Sequence, residues 1–279
     1  MSNWLKNAIK EKYIKSFEFN SFQNSKIIGK GGFGAIYSAY SKNIDKIVAL
    51  KGLFYGSVND NTISLNGFSK EVQNITKVTH HDNIIRFFGV THDPKTETYY
   101  MVLQYANDGD LRCYLSNNFA KLNWTTKIRM AKDISKGINC LHNENLVHCD
   151  LHDRNILRDK SSDIYSLGVL FWELSSGIPP FNNSSDQQCL AIAIIHGKRE
   201  SPINETPVDF MNIYCNAWND DPKLRSNIAE IRHKLECMQM VPVYNNHDNS
   251  FLELAEQRFN QLQIGSQDCS NQNFRNYLD

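Results

Sequence analysis

Leu146-Val147-His148-Cys149-Asp150-Leu151-His152-Asp153-Arg154-Asn155-Ile156-Leu157 runs, after five more residues, into Asp163-Ile164-Tyr165-Ser166-Leu167-Gly168-Val169-Leu170-Phe171-Trp172-Glu173. The first half is a polar loop carrying Asp150 and Asn155. The second half is an apolar helix that stops at Gly177, Pro179 and Pro180, the residues that end helices by left-handed capping and by loss of an N–H donor. Only seven residues separate Asn155 from Asp163, and the reading of the whole chain depends on that interval.

Outward from this stretch, the chain divides by pattern. Upstream, residues 27–51 and 99–106 are β-branched and aromatic, the composition of strands. Between them Phe68, Val72, Ile75 and Val78 recur at helical spacing, with Glu71 on the same helix. From Asp110 onward the character is helical, and Ile128, Ala131, Ile134, Ile138 and Leu141 form one long stripe leading to His148. A small strand-rich part followed by a larger helical part is therefore expected. Trp4, Leu5, Ala8 and Ile9 predict a short helix, and Phe17, Phe19 and Phe22 alternate after it. That piece either packs on the back of the strand-rich part or is loosely ordered.

Bulk properties set limits. The 279 residues allow about two compact units, and 41% hydrophobic content supports a core. Thirty basic residues balance thirty acidic ones, so no electrostatic pull toward nucleic acid is implied. Seven scattered cysteines without a Cys-x-x-Cys motif point to free thiols in a reducing, cytoplasmic compartment. No apolar run reaches the ~18 residues of a membrane span. In residues 242–279, 12 of 38 are Asn or Gln, a composition that buries too little surface to offset ordering entropy. Phe251, Ala255, Phe259 and Leu262 nevertheless make one helical stripe there.

Gly29, Gly31 and Gly34 form Gly-x-Gly-x-x-Gly. Without Cβ atoms the backbone amides of such a turn come close to phosphate oxygens. A dinucleotide-binding turn has the same glycines but needs a helix directly after them. Here Ile36 and Tyr37 read as strand, so a glycine hairpin is expected. Val48-Ala49-Leu50-Lys51 follows as another strand. Lys51 alone would be a solvated strand-end lysine, but its spacing after the hairpin argues against that role, and Glu71 on the following helix is positioned to meet it.

Taken together, these motifs resemble the eukaryotic protein kinase family, closest to its tyrosine-kinase-like branch, over roughly residues 26–240. His81-Asp82-Asn83-Ile84-Ile85, Cys215 with Trp218, and Asp221-Pro222 with Arg225 extend the match. The resemblance implies an α+β, bilobal protein-kinase-like fold: an extension (1–25), a small β-rich N-lobe (26–105), a larger helical C-lobe (106–240) and a polar tail (241–279). The C-lobe would be truncated internally between Leu157 and Asp163. ATP and Mg2+ are the implied cofactors. Gly29, Gly31, Gly34, Ile36, Ala49 and Lys51 would surround the nucleotide, Leu103 would guard the adenine pocket, and the backbone of Gln104 to Ala106 would bond the adenine edge. Asp150 takes the position of the base that accepts a substrate hydroxyl's proton, and Asn155 that of a magnesium ligand. Lys51 and Glu71 complete the catalytic set. The implied partners are ATP and a protein substrate or signalling partner, with no nucleic acid and no membrane span.

The chain departs from the family where its charge matters most. Asp-Phe-Gly occurs nowhere in it, and in kinases that aspartate holds the magnesium bridging the β- and γ-phosphates. The Ala-Pro-Glu anchor and the activation loop between them are missing too. Eight peptide steps span at most ~28 Å, so closure of the shortened chain is sterically possible. Asp159 comes too early to replace the metal ligand, and Asp163 has its own family role, bracing the catalytic loop. Arg225, whose counterpart pairs with the missing anchor's glutamate, is expected to lack a partner. Three readings follow: an active protein kinase, a non-catalytic pseudokinase that binds nucleotide or partners, and a truncated product that does not fold usefully.

Overall fold

The computed structural model describes residues 3–31, 34–52, 61–148, 159–182 and 187–238. Asp150 and Asn155, the strand expected at Ile156 and Leu157, and the tail with its Phe251 to Leu262 stripe lie outside them. The chain divides into two compact units, one built from residues 1–113 and 136–148, the other from 114–135 and 149–279.

The first unit opens with α1 (Asn3–Lys10) and β1 (Ser16–Glu18), followed by β2 (Phe22–Gly31), β3 (Gly34–Ser41), β4 (Lys46–Gly52), α2 (Asn61–Val78), β5 (Phe87–Asp93) and β6 (Thr98–Gln104). The six strands form one sheet in the order β1-β5-β6-β4-β3-β2. Neighbours are antiparallel except β1, which adds to the edge parallel to β5, with Ser16 opposite Val90 and Phe17 opposite Thr91. The period of two along β6 sorts its side chains between two apolar layers. Met101 faces a cluster with Leu5, Ala8, Ile14, Phe68, Val72 and Val90. Tyr100 and Val102 face the other, with Phe17, Ala39, Val48 and Leu50. The N-terminal extension thus contributes to both layers. It is built into the core, as the packed alternative anticipated, and the loosely ordered alternative is set aside for residues 3–18.

In the second unit α5 (Lys160–Ser176) is the central element. Ile164, Leu167, Val169, Phe171, Trp172 and Leu174 are all buried along it, and it packs against α7 (Val208–Ala217), whose Phe210, Met211, Ile213 and Tyr214 are buried in turn. Each large apolar side chain fully buried contributes roughly 1.5–3 kcal/mol, so this pair carries much of the unit's stability. Rings run through it in sequence: Trp124–Phe210 at 5.5 Å, Phe210–Tyr214 at 6.2 Å, Tyr214–Trp218 at 5.4 Å and Trp172–Trp218 at 6.4 Å between centroids. The unit also holds α6 (Gln187–Ile195) and α8 (Ile228–Cys237), the latter against α7, while α3 (Leu111–Asn118) begins in the first unit and ends in the second. A capping box, in which Asn227 accepts from Glu230 N–H and Glu230 accepts from Asn227 N–H, starts α8. The long helix α4 (Trp124–Asn143) confirms the stripe from Ile128 to Leu141.

Both ends of α5 are fixed by its own sequence. Asp159 is the N-cap and accepts from Ser162 N–H at 2.9 Å. Gly177 closes the helix in the left-handed region (φ 76°), its N–H donating to Glu173 O at 2.8 Å. A Cβ there would lie 2.5 Å from the Phe119 ring, so only glycine fits.

Candidate nucleotide-binding site

The glycine turn is a hairpin, as its sequence requires. β2 and β3 pair with Gly29 opposite Ile36 and Gly31 opposite Gly34, and no helix follows, which removes the dinucleotide-turn alternative. β3 then pairs with β4 so that Ile36 lies opposite Lys51, and β4 pairs with β6 so that Ala49 lies opposite Leu103. Eight of the expected nucleotide-site residues, Gly29, Gly31, Gly34, Ile36, Ala49, Lys51, Leu103 and Gln104, are therefore brought onto adjacent strands of one sheet.

Lys51 Nζ donates to Glu71 Oε1 at 2.8 Å. Both side chains keep 31% of their surface exposed. An ion pair so open to water stabilises a fold by about 0–1 kcal/mol at most, so its consequence is orientation: the ammonium is held at the inner end of β4 with donors to spare for a second anion. Glu71 is carried there by α2, whose C-terminal end is tied to β5 by Thr79, since the Thr79 hydroxyl accepts from Phe87 N–H at 2.7 Å.

At the end of β6 the main chain divides its duties. Gln104 N–H donates to Arg86 O at 2.8 Å, and the Gln104 side-chain carbonyl accepts from Arg86 N–H at 3.4 Å. Gln104 is thereby tied to its neighbour, which its sequence position did not signal because the partner is main chain. Tyr105 and Ala106 N–H have no partner among the described residues, and the Ala106 carbonyl accepts weakly from Gly109 N–H at 3.4 Å. A ligand with alternating donor and acceptor atoms on one edge, as adenine has, fits these groups.

For a metal the fit is poorer. Among the described residues no group of three or more His, Cys, Asp or Glu could hold an ion, and Asn155, the expected magnesium ligand, lies outside them together with Asp150. Asp159 is occupied as a helix cap: the Ser161 hydroxyl, then Ser162 and the nearby Arg225 cation, hold its carboxyl below the usual range. Asp163 is buried at the start of α5.

Arg225 does not stand unpartnered. Its Nε donates to Asn219 O at 2.7 Å, Nη1 to Ser161 O at 2.9 Å and Nη2 to Asp220 O at 3.3 Å. Its guanidinium also lies 5.0 Å from the centre of the Tyr165 ring, and Arg199 approaches the same ring at 5.0 Å while pairing with Asp220. Main-chain carbonyls replace the expected acid.

A profile of the protein tyrosine and serine/threonine kinase family matches this chain in two pieces, residues 22–161 and 158–235. The chain belongs to the protein kinase family. Among its relatives are the serine/threonine-protein kinase VIK of Arabidopsis thaliana, 26% identical over 280 aligned positions that take up 81% of this chain and 62% of VIK. Human dual specificity testis-specific protein kinase 2 is 27% identical over 260 positions, 75% of this chain and 43% of that protein. Mitogen-activated protein kinase kinase kinase 10 of Xenopus laevis is 27% identical over 293 positions, 86% of this chain and 28% of that protein. The chain thus spans less than two thirds of each of these kinases. No described helix is long and apolar enough to cross a membrane.

Proposed function

We propose that this kinase-family chain binds an adenine nucleotide through its first unit and transfers phosphate poorly or not at all, acting as a nucleotide- or partner-binding signalling module of the tyrosine-kinase-like branch in the cytoplasm. The observation that carries the nucleotide reading is the Lys51–Glu71 pair at 2.8 Å beside the glycine hairpin. An ammonium fixed by a carboxylate at the end of a strand, next to Cβ-free backbone, is the arrangement that holds α- and β-phosphates.

The reading of weak catalysis is supported by the seven-residue interval between Asn155 and Asp163 and the absence of Asp-Phe-Gly from the sequence. Alignment lengths support it too. The 280 positions shared with VIK occupy 81% of 279 residues, about 226, so about 54 positions have no counterpart here. For the Xenopus kinase, 86% of 279 is about 240 of 293 positions, leaving about 53. By contrast, an alignment with the probable kinase fhkA of Dictyostelium discoideum covers 163 positions and 58% of this chain, about 162 residues, and has almost no such deficit. Gaps of near-constant size in the longer alignments, and a family match split at residues 158–161, fit one internal deletion at the Leu157–Asp163 join.

Magnesium, when bound in this family, neutralises charge on the phosphates undergoing transfer. This chain's own groups toward the phosphates are Lys51 and, by family position, Asp150 and Asn155, with no aspartate in the Asp-Phe-Gly place. Asp150 without a metal places negative charge near phosphate. Turnover is expected at least ~1000-fold below the ~1–100 per second of typical kinases. The test is ATP binding by thermal shift with and without magnesium, alongside a labelled-ATP assay with generic peptides. Binding that depends little on magnesium and disappears in Lys51→Ala is expected. Turnover near one per second that vanishes in Asp150→Asn would overturn the reading of weak catalysis.

A further inference from the structure

The family match begins at residue 22, so α1 and β1 lie outside the matched residues, yet they sit in the core of the first unit. Leu5 is 1% exposed, Ala8 7% and Ile14 3%, and all three share one apolar cluster with Phe68 and Val72 of α2 and Val90 and Met101 of the sheet. Phe68 and Val72 lie one turn apart on one face of α2, and Glu71 lies between them in sequence. The apolar seat of α2 on either side of Glu71 is therefore made partly by the sheet and partly by the N-terminal segment.

That segment is itself anchored. Lys15 O accepts from Val90 N–H at 2.9 Å, and Phe17 O accepts from the buried Thr91 hydroxyl at 2.9 Å. Beyond the sheet edge Phe19 stacks on Tyr100 at 5.8 Å, and Phe17 meets Phe22 edge-on at 6.0 Å. The approach of β1 to β5 is so close that a Cβ on Gly89 (φ 147°) would stand 2.1 Å from Lys15 O. A segment tied by main-chain bonds at the edge and by side chains in both apolar layers cannot slide without breaking several contacts at once.

We infer that residues 3–18 are a built-in brace for α2, and that Leu5 and Ala8 are positioning residues which, through Phe68 and Val72, keep Glu71 on Lys51. This rests on the reading of the Lys51–Glu71 pair as the phosphate-orienting element. The pair is too exposed to hold α2 in place by itself, and Thr79 secures only the end of the helix. Without the brace, α2 loses part of the inner surface that fixes its rotation and depth, and Glu71 leaves Lys51.

Hydrogen exchange read by mass spectrometry on the full chain tests this without any ligand, for Leu5→Ala and Gly89→Ala, with Leu5→Met as the conservative control. Opening of a packed element scales with the contacts removed, so amides of residues 66–78 are expected to exchange ~10-fold faster or more in both variants while those of α5 stay within ~2-fold. Leu5→Met restores protection. A fluorescent ATP analogue is expected to bind ~10-fold more weakly to the same two variants, since the competent state sets the apparent affinity. Unchanged α2 exchange in both variants, or α2 and α5 accelerating together, would overturn the brace. If Leu5→Ala does not fold, Leu5→Val and Gly89→Ala carry the same comparison. If the unsubstituted chain binds no nucleotide, the proposed function fails while the exchange of α2 still decides the brace.

Discussion

Replacing Arg225 with leucine separates two accounts of how the shortened chain manages a family cation. Were Arg225 an isolated half-buried charge, leucine in its place would be neutral or stabilising. The structure gives it three carbonyl acceptors, two of them at 2.7 and 2.9 Å and one longer at 3.3 Å, and the face of Tyr165. A hydrogen bond from a charged donor contributes about 1.5–3 kcal/mol, and a cation over an exposed ring about 0.5–1. Counting the two short bonds at the low end, adding the ring, and subtracting about 1 kcal/mol for desolvating the guanidinium and for the gain from a buried leucine leaves roughly 3 kcal/mol lost. For a chain of this size that is about 6–12 °C in melting temperature. Thermal melts of Arg225→Leu and Arg225→Lys, followed by far-ultraviolet circular dichroism, read it directly. Lysine keeps the charge but not the fork that reaches Asn219 and Ser161 together, so it should fall between the two. A leucine variant melting within 1 °C of the parent, or above it, would refute the view that carbonyls have taken over the pairing.

Lys127 predicts a dependence on pH. It is 6% exposed, with its ammonium 3.8 Å from the centre of the Phe119 ring and 4.8 Å from that of Trp124, and burial pulls it down to about 8 from 10.5. A folded value below the unfolded one means the unfolded chain binds the proton more tightly. Stability therefore rises from pH 8 to 10.5 relative to a Lys127→Met control, which should itself be more stable at pH 7 by up to about 3 kcal/mol, less whatever the two rings offset. Parallel urea titrations at pH 7, 8 and 9.5 measure the difference, and a gap that does not narrow as pH rises defeats the argument. Asp159→Ala should cost about 1 kcal/mol as a lost N-cap, Asp159→Asn far less, and magnesium should not alter either melt; a magnesium-dependent difference would make Asp159 a metal ligand after all. Gly177→Ala should cost at least about 2 kcal/mol, combining left-handed strain with the clash against Phe119, and a melting temperature within 2 °C of the parent would contradict the closeness of that contact.

Periodicity made α2 and α4 legible, because each presents one apolar stripe, and an apolar run bounded by Gly177 and Pro179 did the same for α5, which buries nearly its whole circumference. Lys51 was legible through the likeness of Val48-Ala49-Leu50-Lys51 to the family's lysine strand and Glu71 through its place on the following helix, and the structure pairs them at 2.8 Å. The parallel β1–β5 pairing was not legible. A three-residue strand has no period to detect, and its partner is 74 residues away. The fate of Arg225 was hidden for a different reason: its acceptors are carbonyls, which every residue has, so no side chain marks them. Asp159 did leave a signal, an aspartate three residues before Ser162 at the head of an apolar helix, which is a capping pattern.

The distribution of indoles makes the two units optically distinct. Trp124, Trp172 and Trp218 all belong to the second unit, where the chain of rings from Trp124 through Phe210 and Tyr214 to Trp218 and Trp172 keeps successive centroids within 5.4–6.4 Å. Trp172 and Trp218 are each 3% exposed, so their indoles are shielded from an aqueous quencher, and Trp124 is half-buried. Trp4 is the remaining indole of the chain. It is 39% exposed on α1, where iodide reaches it first. Light emitted by this protein can therefore be divided by a quencher into a signal from the N-terminal segment and a signal from the α5–α7 core, and detachment of the one can be followed while the other stays folded.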